Sequence, residues 1–148
     1  MTTCEVEGVA LLLFDQRGEK LFCVRELLGN VTTGKVVGSF SVPCETIRSG
    51  ETREKALERL IIEEVDSSGS LELEKASFMG SVPLSEGAAV AHVYVTRLIE
   101  GADYFFGMHA GVEIEPIGFL SREELLSNCR AGMQEILSLY SILQEHAL

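Results

Sequence analysis

Residues 43–65 read PCETIRSGETREKALERLIIEEV, and this stretch decides the fold. Thr52 is a suitable N-cap, with Glu54 in the first turn after it. Behind it, apolar residues recur at helical spacing: Ala56, Leu57, Leu60, Ile61 and Val65. The polar and glycine-containing run at 66–70 disfavours continuation. The pattern predicts a helix over residues 52–65 with one apolar stripe.

The flanking segments predict strands and further helices. Residues 6–14 and 20–24, separated by the turn residues DQRG, are typical of a hairpin. Further strands are predicted at 36–42, 71–82, 88–99 and 114–120, a short helix from Ser121 to about Ser127, and a last helix at 131–146. Because strands and helices do not alternate regularly, the order favours an α+β fold, a mixed β-sheet packed against helices, in a single domain over 1–148.

The segment at 45–67 resembles the Nudix box. That box reads Gly, five residues, Glu, seven residues, then Arg-Glu-hydrophobic-X-Glu-Glu-X-Gly-hydrophobic. Without any gap, the register places these residues on its defining positions: Glu51, Arg59, Ile61 and the pair Glu63-Glu64. A hairpin before the box and a strand and short helix near the C-terminus also fit the family.

Four of the nine defining positions differ from the family pattern. The departures are Glu45 for the first Gly, Leu60 for the Glu after the Arg, Asp66 for the late Gly and Ser67 for the last hydrophobic residue. The box is therefore degenerate, and the loss at position 60 removes one of the family's three helix carboxylates.

The resemblance implies the Nudix fold and a hydrolase that cleaves a diphosphate linkage in a nucleotide derivative with Mg²⁺ or Mn²⁺. It also implies that Arg59 pairs with Glu51 and ties the loop to the helix. The ordinary alternative is an i, i+4 pair between Arg59 and Glu63, and both contacts can exist together.

The expected catalytic and metal-binding residues are Glu63 and Glu64. A helix advances about 100° per residue, so positions 60, 63 and 64 share one face, where carboxylates suit a hard divalent cation. Glu58 lies about 160° away and cannot replace the carboxylate missing at Leu60. The resemblance points to Glu113, before the predicted strand at 114–120, as a replacement metal ligand.

Other residues are weaker candidates for a catalytic or ligand-binding role. His92 lies within a predicted strand, where a packed histidine is commoner than a catalytic one, and Cys44 has no obvious basic neighbour that would activate it. His109 lies in a loop with three aromatic residues at 104–106, which could touch a ligand, fill the core or form a dimer contact. The resemblance implies that the residues that determine substrate specificity lie in loops outside the box, here at 27–35 and 100–112.

The chain carries a formal net charge of −11. This acidity argues against nucleic acid polymers and anionic membranes as partners, and a metal ion would be needed to bridge the protein to a small-molecule diphosphate. The four scattered cysteines, the absence of a signal-peptide pattern and the absence of a long apolar run favour a reduced, cytoplasmic setting. A homodimer is expected from the resemblance alone.

Three readings stay open from the sequence. The first is a metal-dependent Nudix-type hydrolase with a weakened site, and the second is a non-catalytic Nudix-fold protein that binds a nucleotide or a protein. The third is a chance match in an unrelated α+β interaction domain, which would lack the loop, helix and second loop at 45–67.

Overall fold

The computed structural model describes residues 6–28, 37–66, 72–84, 89–100, 114–130 and 132–146. Its strands are β1 (Val6–Phe14), β2 (Leu21–Glu26), β3 (Phe40–Ser41), β4 (Cys44–Thr46), β5 (Glu72–Leu73), β6 (Ser77–Leu84), β7 (Ala89–Glu100) and β8 (Ile114–Leu120). Its helices are α1 (Arg53–Leu60), α2 (Arg122–Leu126) and α3 (Met133–His146), and a π-helical turn, Ile61–Val65, directly follows α1.

Strand β1 lies at the centre of a mixed sheet. It pairs in parallel with β7, from Val6 opposite Ala89 to Phe14 opposite Arg97. On its other side it pairs antiparallel with β4 and β2. The remaining strands add antiparallel partners, with β6 and β5 on β7 and with β3 and β8 on β2. The mixed sheet confirms the predicted α+β class.

The sheet is covered by helices on both faces because its central strand is apolar on both sides. Val9, Leu11 and Leu13 of β1 belong to a core cluster that also contains Ala56, Leu57 and Leu60 of α1. Ala10 and Leu12 point the other way, into a second cluster with Met133, Ile136 and Leu137 of α3. The predicted arrangement of a sheet sandwiched by helices is confirmed.

Several local predictions are confirmed by specific contacts. Residues 6–14 and 21–26 form the predicted hairpin strands β1 and β2. Thr52 caps α1, because its hydroxyl accepts a hydrogen bond from the Lys55 backbone amide at 3.1 Å. Ser121 and Glu124 form the predicted capping box at the start of α2.

Other predictions need correction. Of the predicted strand at 36–42, the described part contains only Phe40–Ser41, and residues 29–36 lie outside the described residues. The predicted strand at 71–82 is two strands, β5 and β6. Pro83, which falls between the strands predicted at 71–82 and 88–99, is part of β6 and faces Val90. A proline is tolerated there because β7 is the only strand that pairs with β6 within the described part of the sheet.

The predicted helix at 52–65 is not α-helical throughout. After Leu60 the chain forms a π turn, in which the Asp66 amide donates to the Ile61 carbonyl over 2.7 Å. One additional residue is accommodated in this turn, and Glu63, Glu64 and Val65 are all buried as a result. The π turn therefore sets where the two glutamates lie.

Leu60 is fully buried in the cluster under α1. We expect Leu60→Ala to lower the free energy of unfolding by about 2–5 kcal/mol, because it leaves a cavity in the core. The matched control is Ile62→Ala, two residues along the chain, whose side chain is 46% exposed and whose loss is expected to cost about 0.5 kcal/mol or less. Urea denaturation measures both, and equal losses for the two variants would contradict this placement of Leu60.

Candidate functional site

The loop that enters α1 is closed by a turn at Arg48–Glu51. The Glu51 amide donates to the Arg48 carbonyl at 3.0 Å, and the Arg48 amide donates to Glu51 Oε1 at 3.0 Å. Gly50 has φ of 79°, a left-handed backbone conformation that side-chain-bearing residues rarely adopt. Glycine at this position therefore allows the turn that points the Glu51 carboxylate back toward α1.

Arg59 joins this loop to strand β4 and to the π turn. Its Nε and Nη2 donate to the two carboxylate oxygens of Glu51, each at 3.0 Å, and Nη2 also donates to the Thr46 carbonyl at 2.6 Å. Its Nη1 donates to Glu45 at 2.9 Å and to Glu63 at 3.3 Å. Both contacts considered for Arg59 from the sequence are thus present together, the bidentate pair with Glu51 and the i, i+4 pair with Glu63.

The charges around Arg59 shift the pKa values of its partners. The hydrogen bond from Arg59, helped by the Arg48 amide, lowers the pKa of Glu51 to about 2. Burial alone would raise the pKa of Glu45, but side-chain hydrogen bonds with Glu64, Glu63 and Arg59 outweigh it and lower that pKa. Hydrogen bonds to Glu51 and Glu45 raise the pKa of Arg59. The guanidinium is therefore permanently charged and holds Glu51 ionised.

Glu63 and Glu64 are both buried beside this network. Glu64 accepts a hydrogen bond from the Cys44 amide at 3.3 Å, and Glu63 lies 3.8 Å from the exposed guanidinium of Arg48. Glu45 and Glu63 both accept hydrogen bonds from Nη1 of Arg59, and Glu64 is held next to Glu45 by the amide of Cys44, so three carboxylates lie between β4 and the π turn. We refer to Glu45, Glu63 and Glu64 as the carboxylate cluster.

Glu45 is the member of this cluster that sequence reasoning missed. It was counted only as the loss of the family's opening glycine, whereas its side chain reaches the same place as the two motif glutamates. The signal in the sequence was an acidic residue at that position, but the pairing of β4 with β1 was needed to interpret it. Leu60, by contrast, packs into the core and does not join the carboxylates.

The donor chemistry of the carboxylate cluster suits a hard cation, yet the arrangement is not a ready-made metal site. Within the described ranges, no group of three or more His, Cys, Asp or Glu side chains is placed to hold a metal ion. Arg59 contacts two of the three carboxylates and competes for their oxygens. Glu113, the third ligand expected from the sequence, lies outside the described residues.

A pocket opens beside the cluster, between the first residues of β1 and β7. Its lining includes Gly8, Cys44, Glu45, Ala91 and Arg130. Most of the lining is apolar, whereas Arg130 is a buried cation just before α3. Sequence reasoning did not single out Arg130, because no motif surrounds it and its approach to β4 depends on the tertiary fold.

The structure gives the surroundings of two weaker candidates, His92 and Cys44, but not of His109. His92 is buried in β7 and hydrogen-bonded to side chains of two neighbouring strands. Cys44 lines the pocket, and its thiol donates to the Val42 carbonyl at 3.3 Å. His109, the aromatic residues at 104–106 and most of the two predicted specificity loops lie outside the described residues.

Comparisons with solved structures identify the architecture. A NUDIX hydrolase from Nitrosomonas europaea superposes with a TM-score of 0.67 at 12% identity, covering 94% of this chain and 90% of that one. The NUDIX domain of Shewanella oneidensis NrtR, solved with ADP ribose, gives 0.69 at 15% identity over 99% and 91% of the chains. The MutT protein from Methanosarcina mazei gives 0.63 at 14% identity over 99% and 98%.

The chain has the Nudix fold. At these identities the likeness is one of fold, and neither the family models nor the curated proteins that were compared match the sequence. The loop, α1 and the π turn occupy residues 45–66, so the reading as an unrelated α+β domain without this unit is wrong. The degenerate box thus lies within a Nudix fold.

The described residues bear on two features, membrane-spanning helices and the state of the cysteines. None of the helices described is long and apolar enough to cross a membrane. Cys23, Cys44 and Cys129 are free thiols, and burial raises the pKa of Cys23 to about 12.

The Glu51–Arg59 contact predicts a stability change in acid. Since the pKa of Glu51 is about 2 in the folded state and ordinarily near 4.5, the unfolded chain binds the proton more tightly. The contact therefore stabilises the fold above pH about 4.5, and this stabilisation is lost as the pH falls toward about 2. Urea denaturation between pH 2 and 6 should show a smaller loss for Glu51→Gln, which is already less stable at pH 6, than for the parent protein.

The control is Glu58→Gln, on the exposed side of α1, where Glu58 contacts Lys55 at 3.6 Å. It should keep the acid dependence of the parent protein. An acid dependence of Glu51→Gln equal to that of the parent would contradict the assignment to this contact.

Proposed function

We propose that this protein is a Nudix-type hydrolase that cleaves a diphosphate linkage in a nucleotide derivative with a divalent cation, at a weakened site. The observation that carries the proposal is the carboxylate cluster. Three acidic side chains meet beside the partly exposed guanidinium of Arg59, and Glu51 is a further carboxylate paired with that guanidinium. The cluster holds more negative charge than Arg59 balances, which favours binding of a cation.

Glu63 and Glu64 are the proposed metal-binding and catalytic residues. Carboxylate oxygens are the ligands that Mg²⁺ and Mn²⁺ prefer, and Glu45 or Glu113 is the proposed third contributor. A divalent cation bound there would neutralise diphosphate charge and help to activate water. Arg59 positions Glu63 and Glu45, while the Cys44 amide orients Glu64.

The substrate would lie in the pocket beside the cluster. Its apolar lining offers a surface for a flat, apolar group such as a base, and Arg130 supplies a buried positive charge for a phosphate group. A neighbour in fold, the NUDIX domain of Shewanella oneidensis NrtR, was solved with ADP ribose. ADP-ribose-like nucleotides are therefore the first substrates to test, followed by nucleotide sugars and nucleoside triphosphates.

A second candidate function is a non-catalytic nucleotide-binding or protein-binding role. The observation that favours it is the placement of Leu60, which is fully buried in the core at the position of the missing carboxylate. Arg59 also engages Glu63 directly, so a cation would have to compete with this ion pair. In this reading the pocket binds its ligand without cleaving it.

The expected homodimer and the reduced, cytoplasmic setting belong to the proposal as well. Free thiols at Cys23, Cys44 and Cys129 are compatible with a reducing environment. Nucleic acid polymers and anionic membranes are not expected as partners for a chain with a net charge of −11.

Hydrolysis of ADP-ribose-like substrates in Mg²⁺ or Mn²⁺, measured as phosphate release after phosphatase treatment, tests the proposal. We expect slow, metal-dependent turnover that falls about 100-fold or more in Glu64→Gln, because the variant loses one charged ligand of the carboxylate cluster. The matched control Glu58→Gln changes an exposed glutamate of α1 and should leave the rate unchanged.

Calorimetry with the same nucleotides separates the two candidate functions. Turnover that depends on Glu64 supports the hydrolase. Binding without turnover in either metal, by a protein whose folding is verified by circular dichroism, would overturn the hydrolase and leave the non-catalytic function.

A further inference from the structure

Three side chains on neighbouring strands form a hydrogen-bonded chain outside the carboxylate cluster. Ser81 of β6 lies directly opposite His92 of β7, and its Oγ is 2.7 Å from His92 Nδ1. On the other side of the ring, His92 Nε2 is 2.9 Å from Oε1 of Glu7, on β1. The chain runs from a hydroxyl through an imidazole to a carboxylate, across three strands of one sheet face.

The carboxylate determines which imidazole nitrogen carries the proton. An ionised Glu7 can only accept a hydrogen bond, so Nε2 of His92 must be the protonated nitrogen. In the neutral ring Nδ1 is then the acceptor, and the Ser81 hydroxyl donates its proton to it. This is the arrangement in which a histidine acts as the base of a serine nucleophile and a carboxylate orients the histidine.

The exposure of Ser81, His92 and Glu7 fits the roles of nucleophile, base and orienting carboxylate. His92 is only 8% exposed and is held in place, whereas Ser81 lies on the surface, where a reagent can reach it. The side chain of Glu7 is 57% exposed and contacts the Nε2 side of the His92 ring. Ser81 is therefore a nucleophile at the surface, and the buried His92 is held beside it as the base.

An aromatic surface lies next to this base. The ring of Phe78, which is 47% exposed, lies 6.5 Å from the ring of His92, and Arg53 lies 4.5 Å above Phe78. An exposed aromatic ring beside a nucleophile offers a contact for an aryl or acyl group. The neighbouring guanidinium would favour a leaving group that departs with negative charge.

We propose that Ser81 is an activated nucleophile that accepts an acyl group from an aryl or similarly activated ester. His92 is the general base for this step, and Glu7 is a positioning residue that acts through His92. The base is separate from the carboxylate cluster: Val9 of β1 pairs with both His92 and Glu45, so the backbones of His92 and Glu45 lie two strands apart, about 10 Å.

The reaction balances without any cofactor. Ser81 Oγ forms a bond to the carbonyl carbon of the ester, while its proton moves to His92 Nδ1. The bond between this carbon and the leaving oxygen then breaks, and the leaving phenol or alcohol takes up the proton. Water, with its proton accepted by the same nitrogen, cleaves the acyl-serine, releasing a carboxylic acid and restoring the hydroxyl.

The test is acetylation by 4-nitrophenyl acetate in EDTA, followed by intact mass and by peptide mapping. EDTA removes divalent cations, so this outcome does not depend on the proposed metal-dependent hydrolase. We expect acetylation of Ser81 to be about 10²–10⁴-fold faster than acetylation of Ser77, an exposed serine on the same strand that lies opposite Val95 rather than a histidine.

Variants distinguish an activated serine from a purely structural hydrogen-bonded chain. His92→Gln should lower acetylation of Ser81 to the rate of Ser77, and Glu7→Gln should lower it at least about tenfold, because the imidazole is no longer held in the required tautomer. Ser77→Ala should leave the reaction of Ser81 unchanged.

The proposal is overturned if Ser81 reacts no faster than Ser77 in the folded protein. It is also overturned if the acetylation rate of Ser81 is unchanged in folded His92→Gln or in Glu7→Gln. If His92→Gln does not fold, the partly exposed Glu7→Gln decides the question by itself, since a structural role for Glu7 would not alter the rate of acetylation.

Discussion

The contact between the Arg59 guanidinium and its carboxylates is the interaction on which the site depends. One side chain on α1 holds both oxygens of Glu51, one oxygen each of Glu45 and Glu63, and the Thr46 carbonyl. A planar guanidinium can satisfy several acceptors in fixed directions, which a lysine ammonium cannot do. Arg59 therefore holds three segments together: strand β4, the loop before α1 and the π turn after α1.

This network has an electrostatic consequence. Three carboxylates share one guanidinium and Glu64 lies buried beside them, so the region is negative even after the Arg59 pairs are counted. Buried negative charge is costly unless a cation compensates it. A divalent cation bound there would compensate this charge, which connects the position of the loop before α1 to the proposed chemistry.

Much of the fold could be predicted from the sequence, because local patterns determine it. The hairpin of β1 and β2, the Thr52 cap and the Ser121–Glu124 capping box all follow from short-range signals. The resemblance to the Nudix box implied the contact between Glu51 and Arg59, which the structure contains. The π turn could not be predicted, since the apolar spacing of residues 56–65 is that of a continuous α-helix and contains no signal for the extra residue. Glu45, Arg130 and the neighbours of His92 were missed for a related reason, because each depends on which strands become adjacent.

The position of Leu60 and the presence of Glu45 lead to the central proposal: a divalent cation binds to the two remaining motif glutamates, Glu63 and Glu64, with Glu45 of β4 as a candidate replacement for the carboxylate lost at position 60. Anomalous diffraction from a crystal soaked in Mn²⁺ tests it most directly. The account predicts a manganese peak about 2–2.5 Å from carboxylate oxygens of Glu63 and Glu64. A crystal saturated with Mn²⁺ that shows no peak there, with Glu63 still paired to Arg59, would contradict it.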